Sequence, residues 1–247
     1  MSKTTDTVVG VHAVEACLAS DPARVQVLWV QENRRDGRMG TLLEQAGAAG
    51  VTIKFVPRRE LDQRWPDVRH QGLVAECRPL ARLSEKDLAA ALDGLASPFM
   101  LVLDGVQDPR NLGACMRTAL AAGVDGVVIP RDRAAGLTPV ARKAAAGAAE
   151  MLPLYEVTNL ARALRMMRDA GVFVTGAEAT APLSLYEADL SGPRALVLGS
   201  EQKGLRRLTR ELCDELAHIP LAAGSESLNV SVAAGVCLFE AVRQRRI

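Results

Sequence analysis

From about residue 100 onward the chain alternates short apolar runs with longer amphipathic segments, and this alternation constrains its fold most strongly. The short runs are rich in valine, leucine and isoleucine, and glycine, proline or polar residues follow them. Strands that alternate with helices predict a parallel β-sheet with helices packed on both faces. One of the predicted helices spans 138–149. The predicted strands are 100–103, 126–129, 152–157, 172–176, 195–198 and 217–219.

A second, smaller α/β unit is predicted before this region. Residues 8–20 are apolar at helical spacing, and β-branched runs at 25–30, 51–56 and 72–77 predict strands. A segment that begins polar and ends in Ser97-Pro98 predicts a linker with a short helix. The predicted organisation is an N-terminal domain at 1–79, a linker at 80–97 and a larger domain at 98–247.

Composition supports a globular chain and excludes simple arguments for RNA binding. Hydrophobic residues make up 49% of the chain, enough to bury a full core, so wholesale disorder is not expected. The 30 basic and 29 acidic side chains give a net charge of +1, from which nucleic-acid binding cannot be inferred. Aromatic residues make up 3%, which weakens any scheme in which bases stack on an aromatic platform.

The sequence also predicts a cytoplasmic protein with no membrane partner. The N-terminus has no charged segment followed by a long apolar one, and no window approaches 18 uninterrupted apolar residues. The five cysteines are odd in number, widely spaced and never C-x-x-C, which favours reduced, buried thiols. The three histidines are scattered, so no metal site is expected.

Polar and glycine residues cluster where three of the predicted strands end, the edge of an open α/β sheet at which ligands bind. The first cluster, 101–118, places Asn111 and Arg117 in the helix that follows a strand. Taken alone, Asn111 is better explained as a helix cap and Arg117 as a solvated helix residue.

The second cluster, 195–207, contains Gly199 and Gly204 at the G-x-x-x-x-G spacing of a phosphate loop, with Glu201 between them. The residues that follow are Leu205-Arg206 instead of Lys-Ser/Thr, so the side chains that would hold phosphate and Mg²⁺ are missing and a phosphate loop is rejected. No G-x-G-x-x-G follows a strand, which disfavours a nucleotide-dependent oxidoreductase. Alone, Glu201 is explained as a solvated turn residue or as a charge at the start of a helix.

The third cluster, 218–235, leads through a loop of small residues into a predicted helix that begins near Asn229. Ser227 and Asn229 are good helix caps, which is sufficient to explain them. A helix start rich in serine and asparagine also offers N–H donors to a carboxylate or a phosphate.

Together and in this order, the three clusters resemble the SpoU (TrmH-like, SPOUT) family of RNA ribose 2′-O-methyltransferases. Segments 10–14 and 70–75 resemble the N-terminal domain of the members that methylate guanosine in bacterial 23S rRNA. The resemblance covers nearly the whole chain, from about Val9 to Arg246. Its central residues are Asn111 with Arg117, Gly199-Ser-Glu201 with Gly204-Leu205, and Pro220 with Ser227-Leu-Asn-Val-Ser231.

The resemblance implies an N-terminal domain like ribosomal protein L30e, which would bind RNA, and an α/β SPOUT domain with a C-terminal trefoil knot. Knots are almost absent from proteins, so the residue pattern alone predicts a plain doubly wound sheet. The implied cofactor is S-adenosylmethionine, with no metal, held in the knot by Gly199, Ile219 and Leu228. Family members are homodimers with each active site near the subunit interface.

The implied substrate is the ribose of a guanosine in the peptidyl-transferase-centre P loop of 23S rRNA, free or in a large-subunit assembly intermediate. Arg117 is the family's proposed base, but arginine ordinarily stays protonated, with a pKa above about 12, so anchoring of the target phosphate is the alternative. Asn111 is expected to orient Arg117, and Glu201 to pair with it. The family's catalytic positions correspond to Asn111, Arg117, Glu201, Ser227 and Asn229.

RNA contacts are expected from local arginine clusters. Arg34, Arg35 and Arg38 lie in one N-terminal loop, and Arg206 and Arg207 follow the second cluster. Any single cluster, taken alone, is better explained as a solvated face. Two other functions stay open. A tRNA guanosine 2′-O-methyltransferase would typically lack the N-terminal domain, and a non-catalytic RNA-binding ribosome assembly factor would be free to lose the catalytic residues.

Overall fold

The computed structural model describes residues 5–33, 37–66, 68, 70–201, 203–223 and 227–245. The chain forms two compact units, of which the first comprises Met1–Ala81 with Ala146–Met151 and the second Arg82–Ala145 with Leu152–Ile247. These boundaries differ from the predicted ones. Most of the predicted linker belongs to the second unit, because its helix buries Leu88 and Leu92 in the core of that unit.

The elements are as follows, in chain order within each class. The strands are β1 Asp6–Val9, β2 Val25–Gln31, β3 Thr52–Val56, β4 Leu73–Cys77, β5 Phe99–Asp104, β6 Gly126–Pro130, β7 Leu154–Val157, β8 Phe173–Ala177, β9 Leu183–Ser184, β10 Arg194–Gly199 and β11 Glu215–His218. The helices are α1 Val11–Ser20, α2 Gly37–Ala48, α3 Arg58–Arg64, α4 Glu85–Gly94, α5 Pro109–Ala121, α6 Pro139–Ala145, α7 Ala148–Met151, α8 Leu160–Asp169, α9 Arg207–Leu212 and α10 Val230–Arg245.

The first unit is built on a four-stranded sheet in the order β1-β4-β2-β3. β4 runs antiparallel to both of its neighbours, whereas β2 and β3 are parallel. Successive side chains of a strand point to opposite faces, and β2 shows the result. Leu28 and Val30 join a core with α1 and α2, while Trp29 joins a second core with Leu61 of α3.

Two predicted helices are wrong in extent. The helix predicted at 8–20 begins at Val11, because Val8 lies in strand β1 opposite Ala75 of β4 and Gly10 turns the chain with φ 89°. The helix predicted at 138–149 is interrupted at Ala146 and Gly147, whose φ values of 50° and 96° are not helical. The short edge strand β9 was not predicted; two residues are too few to show a period.

The second unit contains the predicted parallel sheet, with seven strands in the order β7-β6-β5-β10-β8-β11-β9. Each neighbouring pair runs parallel. Met100 and Val102 of β5 face a core shared with α4 and α8, and the pleat therefore directs Leu101 and Leu103 to the opposite face. Helices α5 and α10, which pack against each other, lie outside that core.

The cysteines are free thiols, as the sequence predicted, and all but the partly buried Cys213 are buried. Burial raises the pKa of the Cys115 and Cys237 thiols to about 12, so both stay protonated and unreactive at neutral pH. No helix within the described ranges combines the length and apolar character that crossing a membrane requires.

A buried ion pair holds α7 in the first unit and generates a stability prediction. Nη1 of Arg24 lies 2.7 Å from Oε2 of Glu150, and the two side chains are 7% and 2% exposed. Glu150→Ala leaves the guanidinium buried without its counter-charge and is expected to lower the free energy of unfolding of this unit by about 3–5 kcal/mol. Urea denaturation followed by tryptophan fluorescence isolates the unit, because Trp29 and Trp65 are the two tryptophans of the chain.

The matched control is Glu60→Ala, which breaks the exposed pair with Arg64 on α3. Its cost is expected to stay below about 1 kcal/mol, because water screens both charges. Equal losses in the two variants would show that the burial of Arg24 and Glu150 has no special energetic weight.

Candidate functional site

The three predicted clusters meet at one edge of the seven-stranded sheet. β5 and β10 are neighbours in register, so that Asp104 and Gly199, their last residues, lie side by side. β11 runs parallel to them two strands away and ends at His218. Because all three strands point the same way, the segments that follow them leave the sheet at its carboxyl edge, where ligands bind in open α/β sheets.

One residue from each cluster joins a hydrogen-bonded network. Asn111 Nδ2 donates to Glu201 Oε1 over 2.8 Å, and Asn229 Nδ2 donates to the same oxygen over 2.6 Å. Asn229 Nδ2 also lies 3.2 Å from Asn111 Oδ1. Two amides and one carboxylate, separated by up to 118 residues in the sequence, are thus brought into direct contact.

The orientation of the Asn229 amide is fixed by its other end. Oδ1 accepts from the backbone N–H of Ser231 at 2.9 Å and from its hydroxyl at 2.6 Å, at the start of α10. The nitrogen must therefore point to Glu201. Glu201 Oε2 accepts no hydrogen bond from the described residues, and the carboxylate is exposed. The network thus presents one free carboxylate oxygen to whatever occupies the site.

Arg117 stands apart from this network. It is exposed and makes no hydrogen bond or ion pair with the part of the chain that the structure describes. The expected pairing with Asn111 and with Glu201 is not formed, and those two side chains bond to each other. Arg117 lies six residues after Asn111 on α5, a rotation of one full turn plus about 240° around the helix axis. The two side chains therefore lie on different faces of α5.

The loop after β10 is folded back tightly on the end of its own strand. Ser200 and Gly204 exchange backbone hydrogen bonds of 3.2 and 2.8 Å, and Gly204 has a φ of 60°, which favours glycine. A Cβ at Gly199 would overlap the backbone of Gly204 and the nitrogen of Leu205. Both glycines are therefore required by the geometry of this loop.

A buried carboxylate ties that loop to the neighbouring strand. The side chain of Asp104 is fully buried at the end of β5 and accepts from Nε of Arg206 at 2.5 Å and from its backbone N–H at 2.9 Å. Arg206, predicted to contact RNA, thus uses Nε of its guanidinium for Asp104, while its side chain remains 47% exposed. A buried carboxylate requires such a partner.

The other predicted RNA-contacting arginines differ in their surroundings. Arg207 is 86% exposed and pairs with Glu211 one turn along α9. Arg38 makes two 2.7 Å bonds to the carboxylate of Glu15 in the first unit. Arg34 and Arg35 lie outside the described residues.

Two adjacent cavities of about 290 Å³ each open at this edge of the sheet. Cavity A is lined by Gly105, Val106, Gln107, Asp108 and Asn111. Cavity B is lined by the three predicted cofactor residues, Gly199, Ile219 and Leu228, by Ser227, and by Glu178, Leu198 and Ala233 among others. Both cavities share a wall made of Ser200, Glu201, Lys203 and Val230.

Gln107, Asp108, Lys203 and Glu178 line these cavities but were not predicted as site residues. Their position in the sequence could have indicated them, because each lies a few residues after the end of β5, β8 or β10. None of the described residues forms a group of three histidine, cysteine or acidic side chains that could hold a metal ion.

Comparison with known proteins identifies the family. The profile of the SpoU rRNA methylase family matches residues 98–239, and that of the RNA 2′-O ribose methyltransferase substrate-binding domain matches residues 7–83. The chain belongs to the SpoU methylase family. Both units of this SpoU protein are therefore represented in known methyltransferases, and the predicted family is confirmed.

Individual relatives extend the match over the whole chain. The 23S rRNA (guanosine-2′-O-)-methyltransferase RlmB of Shewanella oneidensis is 50% identical over 244 residues, which cover 99% of both chains. The SpoU methyltransferase AviRb from Streptomyces viridochromogenes, in complex with AdoMet, has the same fold, with a TM-score of 0.79 at 24% identity over 97% of this chain and 90% of its own. The TrmH/SpoU tRNA-modifying enzyme of Aquifex aeolicus matches 66% of this chain and 82% of its own, with a TM-score of 0.55 and 26% identity.

The two carboxylates of the site are expected to differ sharply in their effect on stability. Asp104→Ala removes a fully buried side chain and its two hydrogen bonds to Arg206, which join the end of β5 to the loop after β10. It is expected to lower the free energy of unfolding by about 2–3 kcal/mol. Glu201→Ala is expected to change it by less than about 1 kcal/mol, because the half-buried Asn111 amide and the exposed Asn229 amide can bind water instead. Chemical denaturation followed by far-ultraviolet circular dichroism measures both. A loss in Glu201→Ala as large as that in Asp104→Ala would make the network structural.

Proposed function

We propose that this SpoU protein transfers a methyl group from S-adenosylmethionine to the ribose 2′-oxygen of a guanosine in 23S rRNA. The observation that carries the proposal is the pair of cavities with one common wall, in which the exposed Glu201 carboxylate is held by Asn111 and Asn229. A cofactor in cavity B and a nucleotide in cavity A would meet at that wall. The relationship to RlmB, whose name states this reaction, supports the substrate.

The lining of cavity B fits S-adenosylmethionine. Leu198, Ile219 and Leu228 offer apolar surface for an adenine ring, while the exposed Ser227 and the carboxylate of Glu178 offer polar contacts. Gly199 allows the loop after β10 to fold back against the end of its strand, and both Gly199 and Gly204 line this cavity. When bound, the cofactor supplies a methyl group on a positively charged sulfonium. AviRb, which has the same fold, binds AdoMet, in agreement with this assignment.

The residues of the wall position the reacting hydroxyl. Asn111 and Asn229 hold Glu201 through Oε1, which leaves Oε2 free to accept the hydrogen bond of the ribose 2′-OH and its proton. Positioning of this kind can account for much of the rate, since no covalent enzyme intermediate is needed. Ser227 lines cavity B, the proposed cofactor site.

Arg117 acts in this proposal as an anchor for a phosphate of the target strand. It is exposed and free of protein partners within the described residues, the state expected of a guanidinium that awaits an RNA phosphate. A general base would need to lose its proton, which burial favours and exposure does not.

The finer features implied by the family belong to the same proposal. A trefoil knot at the C-terminal end of the second unit agrees with the insertion of β10 between the earlier strands β5 and β8 and with the tight backbone contact at Gly199. An L30e-like, RNA-binding role for the first unit agrees with its match to the substrate-binding profile. The chain would act in the cytoplasm, on rRNA or an assembly intermediate.

A homodimer is part of the proposal as well. Val232 and Phe239 of α10 are 52% and 49% exposed, and they lie seven residues apart on one face of the helix. A second copy that covered this face could also approach Arg117, because α5 packs against α10.

The alternative functions fit less well. The tRNA-modifying enzyme of Aquifex aeolicus matches only 66% of the chain, whereas RlmB matches both units. A non-catalytic assembly factor would have no need of the Asn111–Glu201–Asn229 network.

A methyl-transfer assay tests the proposal directly. The protein is incubated with labelled S-adenosylmethionine and either unmodified 23S rRNA or unmodified tRNA, and the labelled nucleotide is mapped by nuclease digestion. We expect label on one guanosine ribose of 23S rRNA, in the P loop. Label in tRNA alone, or in neither RNA, would overturn the proposal.

Arg117→Lys separates the two roles of this residue. As a phosphate anchor, the lysine keeps the charge but loses the forked geometry, so KM for RNA is expected to rise about tenfold while the single-turnover rate at saturating RNA changes less than about threefold. If Arg117 were the base, the pH optimum would instead move towards the pKa of lysine, about 10.4. Arg165→Lys, at an exposed position on α8, is the control.

Gly199→Ala tests the assignment of cavity B. The added Cβ has no room against Gly204 and Leu205, so the loop must shift, and the affinity for S-adenosylmethionine is expected to fall at least about tenfold. Isothermal titration calorimetry measures the affinity. Gly136→Ala is the control, because no atom lies within 4 Å of its added Cβ. Unchanged binding by Gly199→Ala would place the cofactor elsewhere.

A further inference from the structure

Cavity A contains polar side chains for which the transfer of a methyl group gives no role. Gln107 and Asp108 lie between the end of β5 and the start of α5, and Lys203 faces them from the loop after β10. Methyl transfer at the ribose does not require any of them. Enzymes that do chemistry on a base draw it out of its helix into a pocket, where its Watson–Crick edge is read by hydrogen bonds. A pocket beside the reacting ribose can read the base in the same way.

The carboxylate of Asp108 has acceptor capacity to spare. Oδ1 accepts from the backbone N–H of Arg110 at 2.7 Å, so that Asp108 caps the N-terminus of α5. Oδ2 accepts no hydrogen bond from the described residues, and each carboxylate oxygen can accept two. Nor do the side-chain amide of Gln107 and the ammonium of Lys203 make a hydrogen bond within that part of the chain. The cavity therefore presents a free acceptor at Asp108 and free donors at Gln107 and Lys203.

This arrangement matches the Watson–Crick edge of one base. Guanine presents two adjacent donors, N1–H and the 2-amino group, beside one acceptor, O6. Adenine presents an acceptor at N1 in place of the donor, and uracil has a single N–H between two carbonyl oxygens. A carboxylate can bind two adjacent donors at once, and a charged acceptor strengthens both bonds.

We propose that cavity A receives the base of the target nucleotide and that Asp108 selects guanine by accepting hydrogen bonds from N1–H and the 2-amino group. Gln107 and Lys203 supply the donors for O6. The ribose then lies at the common wall, beside Glu201. This assignment rests on the proposed function and adds to it the side chain that chooses the base.

The competing explanation is that Asp108 is only the cap of α5, and one substitution separates the two roles. Asparagine is as good a helix cap as aspartate, since its Oδ1 can still accept from the Arg110 N–H. Asp108→Asn therefore preserves the fold but turns one acceptor oxygen into a donor, which repels the donors of guanine. Asn159, which caps α8 in the same way, shows that asparagine serves this purpose in the chain.

The experiment compares two RNA substrates that differ in a single amino group. A 23S rRNA fragment carries either guanosine or inosine at the target position, and kcat/KM for methyl transfer is measured with each. Inosine retains O6 and N1–H but lacks the 2-amino group. The wild-type protein is expected to prefer guanosine about tenfold or more, as for the loss of one hydrogen bond to a charged group. Asp108→Asn is expected to lose about 100-fold on guanosine and to show a preference within about twofold of unity.

Two controls accompany the variant. Asp169→Asn makes the same change of charge at the exposed end of α8 and is expected to keep the wild-type preference. The affinity of Asp108→Asn for S-adenosylmethionine is expected to stay within about twofold of wild type, because Asp108 does not line cavity B.

The outcomes separate this inference from the proposed function. If the wild-type protein methylates guanosine and Asp108→Asn keeps the full preference over inosine, base selection by Asp108 is overturned and the methyltransferase proposal stands. Equal rates of the wild-type protein on guanosine and inosine would also overturn base selection by Asp108 and leave the methyltransferase proposal standing. Failure of the wild-type protein to methylate the guanosine fragment overturns both.

Discussion

The buried carboxylate of Asp104 is the interaction on which the site depends. It lies at the end of β5, fully removed from solvent, and binds both the side chain and the backbone of Arg206. That contact fixes the loop after β10 above the ends of two parallel strands. Ser200, Glu201 and Lys203, which form most of the wall between the two cavities, all lie on that loop. The burial of one charged side chain, Asp104, thus fixes the position of the residues that line both cavities.

The Asn111–Glu201–Asn229 network has the opposite character. Its members are half-buried or exposed, and each comes from a different segment of the chain. Little free energy of folding is expected to depend on it, yet it holds one carboxylate in a single orientation. The buried carboxylate of Asp104 supports the loop, and the exposed carboxylate of Glu201 is held in one orientation. This arrangement is expected at a site where precise geometry matters more than stability.

The sequence was informative wherever a pattern repeats. Alternating apolar runs predicted the parallel sheet, and polar residues at the ends of its strands predicted which segments meet. The pattern did not predict on which face of a helix each polar side chain lies. The expected pairing of Arg117 with Asn111 and Glu201 was therefore wrong. Val8 and Val9 joined the helical pattern that follows them, because a strand of four residues is too short to show its own period. Nothing in the sequence pattern distinguishes Arg206 from Arg207. In the structure Arg206 binds the buried Asp104, whereas Arg207 pairs with the exposed Glu211.

The common wall has a thermodynamic consequence for the two ligands. Four residues border both cavities, so a ligand that moves Lys203 or Glu201 from one side alters the surface offered to the other. If the first ligand changes the affinity for the second by some factor, the second must change the affinity for the first by the same factor. In the proposed arrangement, with the cofactor in cavity B and the RNA in cavity A, such a movement would make the apparent affinity for one ligand depend on the concentration of the other.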